Sequence, residues 1–68
     1  MKERIIEILR EHPSGLRKRD IASIIGVWTP NLVKPMAELE RAGVVKSNYY
    51  RDAANMEFYD IWVLTENA

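Results

Sequence analysis

In the stretch of residues 16–45, apolar residues at helical spacing are interrupted by two glycines. Gly26 falls where a helix must end, because the residue just past a helix often needs a left-handed backbone that only glycine adopts without penalty. Gly43 ends the next helix in the same way. Thr29 is expected to cap that helix with its hydroxyl, and Pro30 suits its first position. The stretch predicts two helices, joined by a tight turn and followed by a strand.

The rest of the chain adds one helix before this stretch and a hairpin after it. Residues 2–11 have apolar side chains on one face, and Pro13 forbids continuation of that helix, which makes His12 a helix-end residue near the last carbonyls. The second helix is expected to bury four side chains: Ile21, Ala22, Ile24 and Ile25. We expect helices over residues 2–11, 18–25 and 30–42, strands over residues 44–50 and 58–64, and a loop over residues 51–57.

The apolar and glycine positions resemble the core of winged helix-turn-helix proteins, a class that includes small transcriptional regulators of prokaryotes and phages. The resemblance rests on Asp20-Ile21-Ala22, Gly26-Val27, Leu32, Met36 and Leu39-Glu40-Arg41-Ala42-Gly43-Val44-Val45. It implies an α+β, mainly helical domain over residues 1–68, with three helices and a two- to three-stranded antiparallel sheet called the wing. In that architecture Leu16 begins a short strand that pairs with the wing, and helix 30–42 enters the DNA major groove.

Composition excludes several other classes of protein. A chain of 68 residues allows one small domain, and without cysteine or a second histidine we expect no metal site, cofactor or disulfide. We also expect no enzymatic activity, because the chain has no cysteine nucleophile, glycine-rich phosphate loop or paired-histidine motif. No small-molecule effector is predicted. The chain has no apolar run long enough to cross a membrane and no signal-peptide block, so we expect a cytoplasmic protein.

Charge is distributed unevenly along a chain whose net charge is zero. Residues 17–51 carry seven basic and three acidic side chains, a net charge of +4, whereas residues 52–68 carry four acidic side chains and no basic ones. The positive part coincides with the helix-turn-helix stretch. This distribution favours an interaction with nucleic acid through that stretch.

Three consecutive cations, Arg17, Lys18 and Arg19, stand at the start of the second helix. A helix N-terminus already carries partial positive charge, so cations there destabilise it by roughly 0.3–1 kcal/mol each, and Asp20 offsets only part of this. One interpretation is that the three side chains and the free backbone N–H groups receive a DNA phosphate. The alternative is a solvated charge run whose repulsion is tolerated.

The turn and the start of the third helix carry the side chains that would face DNA. Asn31 can pair with adenine and Lys34 can donate to guanine or to a phosphate. Thr29 can bond a phosphate, and the ring of Trp28 can pack on a sugar. The alternative for Trp28 is that it covers the edge of the core.

Two residues of the third helix do not fit the pattern. Pro35 would lie inside helix 30–42 at a cost of about 3 kcal/mol, so either the helix is kinked there or residues 30–34 form a loose first turn before the regular helix. Glu38 would repel phosphates unless it accepts a hydrogen bond from cytosine.

The hairpin supplies two further cations and an excess of aromatic surface. Lys46, on its first strand, is expected to contact DNA. Arg51 is expected in the wing loop, which either reaches a neighbouring minor groove or the DNA backbone or is a mobile loop facing solvent. The aromatic side chains exceed what so small a core can enclose, which suggests a homodimer contact. They are Tyr49, Tyr50, Tyr59 and Trp62.

The sequence therefore favours sequence-specific binding of double-stranded DNA by a transcriptional regulator. Two copies would bind two half-sites about one helical turn apart. The alternative is a protein-interaction module of the same fold that does not bind DNA, which the zero net charge, Pro35 and Glu38 all favour.

Overall fold

The computed structural model describes residues 1–65 as an α+β fold with three α-helices and a two-stranded antiparallel sheet. The elements are α1 (Lys2–Glu11), α2 (Lys18–Ile25), a 3₁₀ helix (Thr29–Leu32), α3 (Val33–Arg41), β1 (Val45–Asp52) and β2 (Glu57–Leu64). This layout is compatible with the winged-helix arrangement that the sequence resembles. Over the described residues, no helix is long and apolar enough to span a membrane.

The core lies between the three helices and the base of the hairpin. Its buried side chains are Ile5, Ile8, Leu9, Ile21, Ala22, Leu32, Met36, Leu39, Val45 and Trp62. The expectation that α2 also buries Ile24 is wrong, because that side chain is 45% exposed. Successive helical residues are rotated by about 100°, so a buried stripe centred on Ile21, Ala22 and Ile25 leaves Ile24 on the flank of the helix.

Both glycines that were expected to end helices have the left-handed backbone, with φ of 88° at Gly26 and 78° at Gly43. The N–H groups of Gly26 and Val27 both donate to the carbonyl of Ala22, at 2.8 and 3.0 Å. These bonds satisfy a carbonyl at the end of α2 that would otherwise lack a partner. The chain then turns sharply towards the 3₁₀ helix.

The helix expected over residues 30–42 is divided into the 3₁₀ helix and α3. Pro35 is the third residue of α3, in the first turn, where N–H groups have no partner within the helix, so it costs no hydrogen bond. Of the two alternatives for Pro35, the loose first turn is therefore the one observed. The expected cap at Thr29 is wrong: Trp28 occupies the N-cap position, and within residues 1–65 no side chain caps the 3₁₀ helix.

The hairpin is longer than expected and its loop is shorter. Strand pairing continues to Asp52 opposite Glu57, which leaves a loop of only residues 53–56. The Asp52 carboxylate closes this loop by accepting hydrogen bonds from the Asn55 side chain at 2.8 Å and its backbone N–H at 3.3 Å, and these bonds lower the pKa of Asp52. Arg51 was expected in the loop but lies in β1, because the loop closes after it.

A third strand is reduced to one residue. Leu16 and Trp62 exchange two backbone hydrogen bonds, at 3.1 and 2.8 Å, on the edge of β2 that faces away from β1. The preceding Gly15 has φ of +90°, and a Cβ atom added there would lie 2.4 Å from Cγ2 of Ile61 and 2.9 Å from the backbone oxygen of Trp62. The close approach of the two segments therefore requires glycine.

We predict that Gly15→Ala destabilises the fold by about 3 kcal/mol, because a positive φ and an overpacked contact with backbone both oppose a side chain there. Gly26→Ala is the control: its φ is +88°, but an added Cβ would meet no described atom within 4 Å. The control should cost about 1 kcal/mol. Urea unfolding of both variants measures the difference, and equal losses would show that the contact with β2 is not limiting.

Candidate nucleic-acid interface

The N-terminus of α2 is held against the hairpin by its own cations. Arg17 occupies the N-cap position, and in the described part of the chain no side chain caps this end. Its guanidinium carbon lies 4.1 Å from the ring centroid of Tyr59, and Nη2 lies 4.0 Å from a carboxylate oxygen of Glu57. Arg17 is thus a bridge between α2 and β2 and is not a freely solvated cation.

Lys18 makes a similar contact, and Arg19 does not. The Lys18 ammonium lies 5.4 Å from the ring centroid of Trp62, whereas Arg19 is exposed to solvent. An aromatic face attracts a cation by about 0.5–1 kcal/mol at such sites, which offsets the repulsion expected from three cations at a helix start. The alternative of a purely solvated charge run is therefore wrong for Arg17 and Lys18.

These cations line a groove of about 280 Å³ between α2 and β2. The groove combines positive charge with aromatic surface and also contains one carboxylate. Its lining residues are Arg17, Lys18, Arg19, Phe58, Tyr59, Asp60 and Trp62. The structure thus brings together the three cations that the sequence singled out and adds hairpin side chains that the sequence did not associate with them.

The turn before α3 exposes its aromatic side chain. Trp28 is 81% exposed, so the interpretation that it covers the core edge is wrong. The backbone oxygen of Trp28 accepts a 2.9 Å hydrogen bond from the N–H of Asn31, which closes the turn. Thr29 is half-buried and Asn31 is exposed. Behind them Leu32 is fully buried and fixes the turn to the core.

Asn31 and Lys34 line a second groove, of about 580 Å³, between the start of α3 and the start of α1. Within it the carboxylate of Glu38 forms an ion pair with the ammonium of Lys2. The hydrogen bond and charge of Lys2 lower the pKa of Glu38, and the charges of Lys34 and Arg41 lower it further. The carboxylate that was expected to repel phosphates is therefore partnered by a cation from α1.

The two remaining candidate cations lie on β1. Lys46 and Arg51 are five positions apart, so they project from opposite faces of the strand. The guanidinium of Arg51 lies 5.6 Å from the ring of Phe58. The expected site residues thus fall into three groups: the start of α2, the turn with the start of α3, and β1.

Two exposed apolar side chains near the turn were missed by the sequence analysis. Ile24 is 45% exposed and Val33 is 55% exposed. The exposure of Val33 could have been predicted from the sequence. Leu32, Met36 and Leu39 recur at helical spacing on the buried side, which leaves position 33 on another side of α3. Together with Trp28 they make the surface around the turn more apolar than expected.

His12 has the structural role that its position predicted. Its Nδ1 atom lies 2.9 Å from the backbone oxygen of Ile8, in the last turn of α1. Across residues 1–65, no group of three or more histidine, cysteine or acidic side chains is arranged to hold a metal ion.

No protein-family model matches the chain, and no curated protein matches its sequence.

We predict that Lys2→Met raises the pKa of Glu38 towards 4.5, because Lys2 makes the largest contribution to its lowering. A folded-state pKa below that of the unfolded chain means that the pair stabilises the fold above about pH 4.5 and loses its effect as the pH falls through the folded-state pKa. An NMR titration of the side-chain carboxyl carbon measures this shift.

Arg4→Met is the matched control for this titration, because the Arg4 guanidinium pairs with Glu7 on α1, 2.8 Å away. It removes the same charge from the same helix. An unchanged Glu38 midpoint in Lys2→Met, or an equal shift in both variants, would contradict a specific pair between α1 and α3.

Proposed function

We propose that this protein is a winged helix-turn-helix protein that binds double-stranded DNA with sequence specificity and regulates transcription in the cytoplasm, without enzymatic activity. The observation that carries the proposal is the turn before α3. Trp28 is 81% exposed and Asn31 is exposed, while Leu32 directly behind them is fully buried. A rigidly anchored turn that presents aromatic and amide groups to solvent is suited to contact a partner.

In this proposal the 3₁₀ helix and α3 enter the major groove. A groove about 12 Å wide admits a helix, and the residues that reach base edges are those at its N-terminal end. Asn31 would pair with adenine, and Lys34 would donate to guanine or to a phosphate. Trp28 would pack on a sugar, and the hydroxyl of Thr29 would bond a phosphate.

The start of α2 would hold the DNA backbone. Arg19 is exposed, so its guanidinium is accessible to a phosphate. Arg17 and Lys18 lie over aromatic rings, where they keep N–H groups for a phosphate while they hold the hairpin in place. The pairing of Glu38 with Lys2 reduces the electrostatic repulsion between α3 and phosphates.

The alternative function is a protein-interaction module of the same fold. It is favoured by the exposed apolar side chains around the turn, Ile24, Trp28 and Val33, which would suit an apolar partner surface better than a phosphate backbone. A mobility-shift assay on genomic fragments at 50 mM salt separates the two functions. Absence of any shift at that salt concentration would exclude the DNA-binding proposal.

We predict that the double variant Arg19→Gln and Lys34→Gln weakens DNA binding and reduces its salt dependence. Each lost phosphate contact lowers the slope of log K against log salt by about 0.9, so two lost contacts lower it by about 1.8. Fluorescence anisotropy on a labelled duplex, repeated at several salt concentrations, measures both quantities. Arg17 and Lys18 are unsuitable for this test because their substitution would also disturb the hairpin.

The matched control is Arg10→Gln together with Arg4→Gln, which removes the same charge from α1, outside the proposed contact. This pair should leave the slope nearly unchanged. If both double variants lower the slope equally, binding follows overall charge and the proposed contact surface is wrong.

We predict that Trp28→Ala weakens DNA binding about tenfold, a loss of about 1.4 kcal/mol, and leaves stability within about 0.5 kcal/mol of the parent. The second expectation follows from the 81% exposure of the side chain, which contributes little to the core. Anisotropy and urea unfolding measure the two effects. Full DNA affinity in the variant would show that the turn does not contact DNA.

A further inference from the structure

The outer edge of β1 is the edge that faces away from β2. The hydrogen bonds at the opposite edge of the sheet, along β2, show which backbone groups of β1 point outwards. Trp62 exchanges both of its backbone hydrogen bonds with Leu16, so its N–H and C=O point away from β1. Ser47 lies opposite Trp62, and the two residues form a non-hydrogen-bonded pair of the antiparallel ladder. In such a pair the backbone N–H and C=O groups of both residues point away from the partner strand. By alternation Ser47, Tyr49 and Arg51 direct their N–H and C=O groups away from β2.

This edge is open, whereas the other edge of the sheet is partly covered. Within residues 1–65, the strand pairings place no segment beside the outer edge of β1. The outer edge of β2 is occupied by Leu16 and overlain by Arg17. Edge strands are usually protected by proline, bulges, charged side chains or covering segments. β1 contains no proline and its register with β2 runs without interruption over eight pairs, but it does carry the charged side chains Lys46, Arg51 and Asp52.

Aromatic side chains on both faces of the hairpin are exposed beside this edge. Tyr49 is 65% exposed and stacks on Phe58, which is 57% exposed, with ring centroids 6.4 Å apart. On the other face Tyr50, 46% exposed, stacks on Tyr59 at 5.8 Å. Trp62 was expected to share in this surface but is only 6% exposed, because it packs in the core.

We propose that a second copy of this chain pairs with the outer edge of β1, antiparallel and two-fold symmetric, with Tyr49 opposite its own counterpart. In this register Lys46 lies opposite Asp52 of the second copy, twice in the dimer. Moving the two-fold axis to Asn48 would set Lys46 opposite Tyr50, and moving it to Tyr50 would set Asn48 opposite Asp52. Among these registers, charge complementarity selects the one centred on Tyr49.

The same register explains the exposed rings of Tyr49 and Phe58. The two Tyr49 side chains form a hydrogen-bonded pair of the new ladder and extend the stack on each Phe58 into one aromatic cluster of four rings. Lys46 and Asp52 fall at non-hydrogen-bonded positions, where opposite Cα atoms are only about 4.5 Å apart and side chains are closest. The contact is isologous, so it closes at two copies.

The outer edge of β1 is separate from the turn before α3, and a dimer formed there does not require DNA binding. The Phe58 ring is shared, because it also lines the groove beside Arg17, Lys18 and Arg19. The proposed dimer assigns Lys46 and Arg51, which the sequence analysis placed against DNA, to the interface between copies. The turn before α3 contributes no residue to this interface.

The first test is the mass of the protein in solution. Sedimentation equilibrium from 1 µM to 1 mM should show a transition from the 7.9 kDa chain to twice that mass. A chain that remains monomeric at 1 mM overturns the proposal.

Amide hydrogen exchange, followed by NMR at low and high protein concentration, tests which edge is used. The amides of Asn48 and Tyr50 bond to β2 and should be protected at both concentrations. Those of Ser47, Tyr49 and Arg51 should exchange at least tenfold more slowly in the dimer than in the monomer. A dimer in which these three amides exchange at an unchanged rate uses another surface and also overturns the proposal.

Charge reversal tests the register. Lys46→Glu would set two like-charge pairs against Asp52 and should raise the dimer dissociation constant at least tenfold, whereas Arg10→Glu, the same change on α1, should not. Adding Asp52→Asn to Lys46→Glu removes the repulsion and keeps an oxygen for the loop, so it should recover most of the affinity. Equal effects of Lys46→Glu and Arg10→Glu would exclude this register.

Discussion

The backbone pairing of Leu16 with Trp62 holds the hairpin against the helices. A two-stranded hairpin alone is marginally stable in water, so the hairpin needs a third element to hold it. Here one residue provides two backbone hydrogen bonds, and the Trp62 side chain enters the core between the helices. Gly15 permits this approach because a side chain at that position would overlap β2.

The same contact gives the cations at the start of α2 two roles. Once β2 is beside α2, its aromatic rings lie under Arg17 and Lys18 and reduce the repulsion that three cations would cause at a helix start. The charge that would attract a phosphate therefore also orients the hairpin. Arg19 is the member of this group that makes the smallest structural contribution.

Several features of the fold could be predicted from local chemistry. The ends of α1 and α2 follow from Pro13 and Gly26, and the stripe of Leu32, Met36 and Leu39 follows from helical spacing. The division of the third helix was foreseen only as one of two alternatives, because a proline is costly in a helix interior and tolerated in the first turn. Whether Pro35 lies in the interior or in the first turn depends on the residue at which α-helical hydrogen bonding begins.

The candidate site was predictable in its residue types but not in its contacts. Arg17, Lys18, Trp28 and Asn31 were identified from charge and position, but sequence alone left open whether Trp28 packs inwards. The pairing of Glu38 with Lys2 joins residues far apart in the chain, and no local pattern signals such a pair. Long-range ion pairs and ring contacts are set by how the elements pack.

The order of the elements, the glycine helix ends and the concentration of positive charge in residues 17–51 follow from the amino-acid sequence, since each depends on neighbouring residues alone. The exposure of Ile24 and Trp28, the burial of Trp62 and the place of Arg51 in a strand follow from the packing of the folded chain. These outcomes depend on which faces of different elements meet. Burial is a property of the packed chain, and a residue's type gives only its tendency.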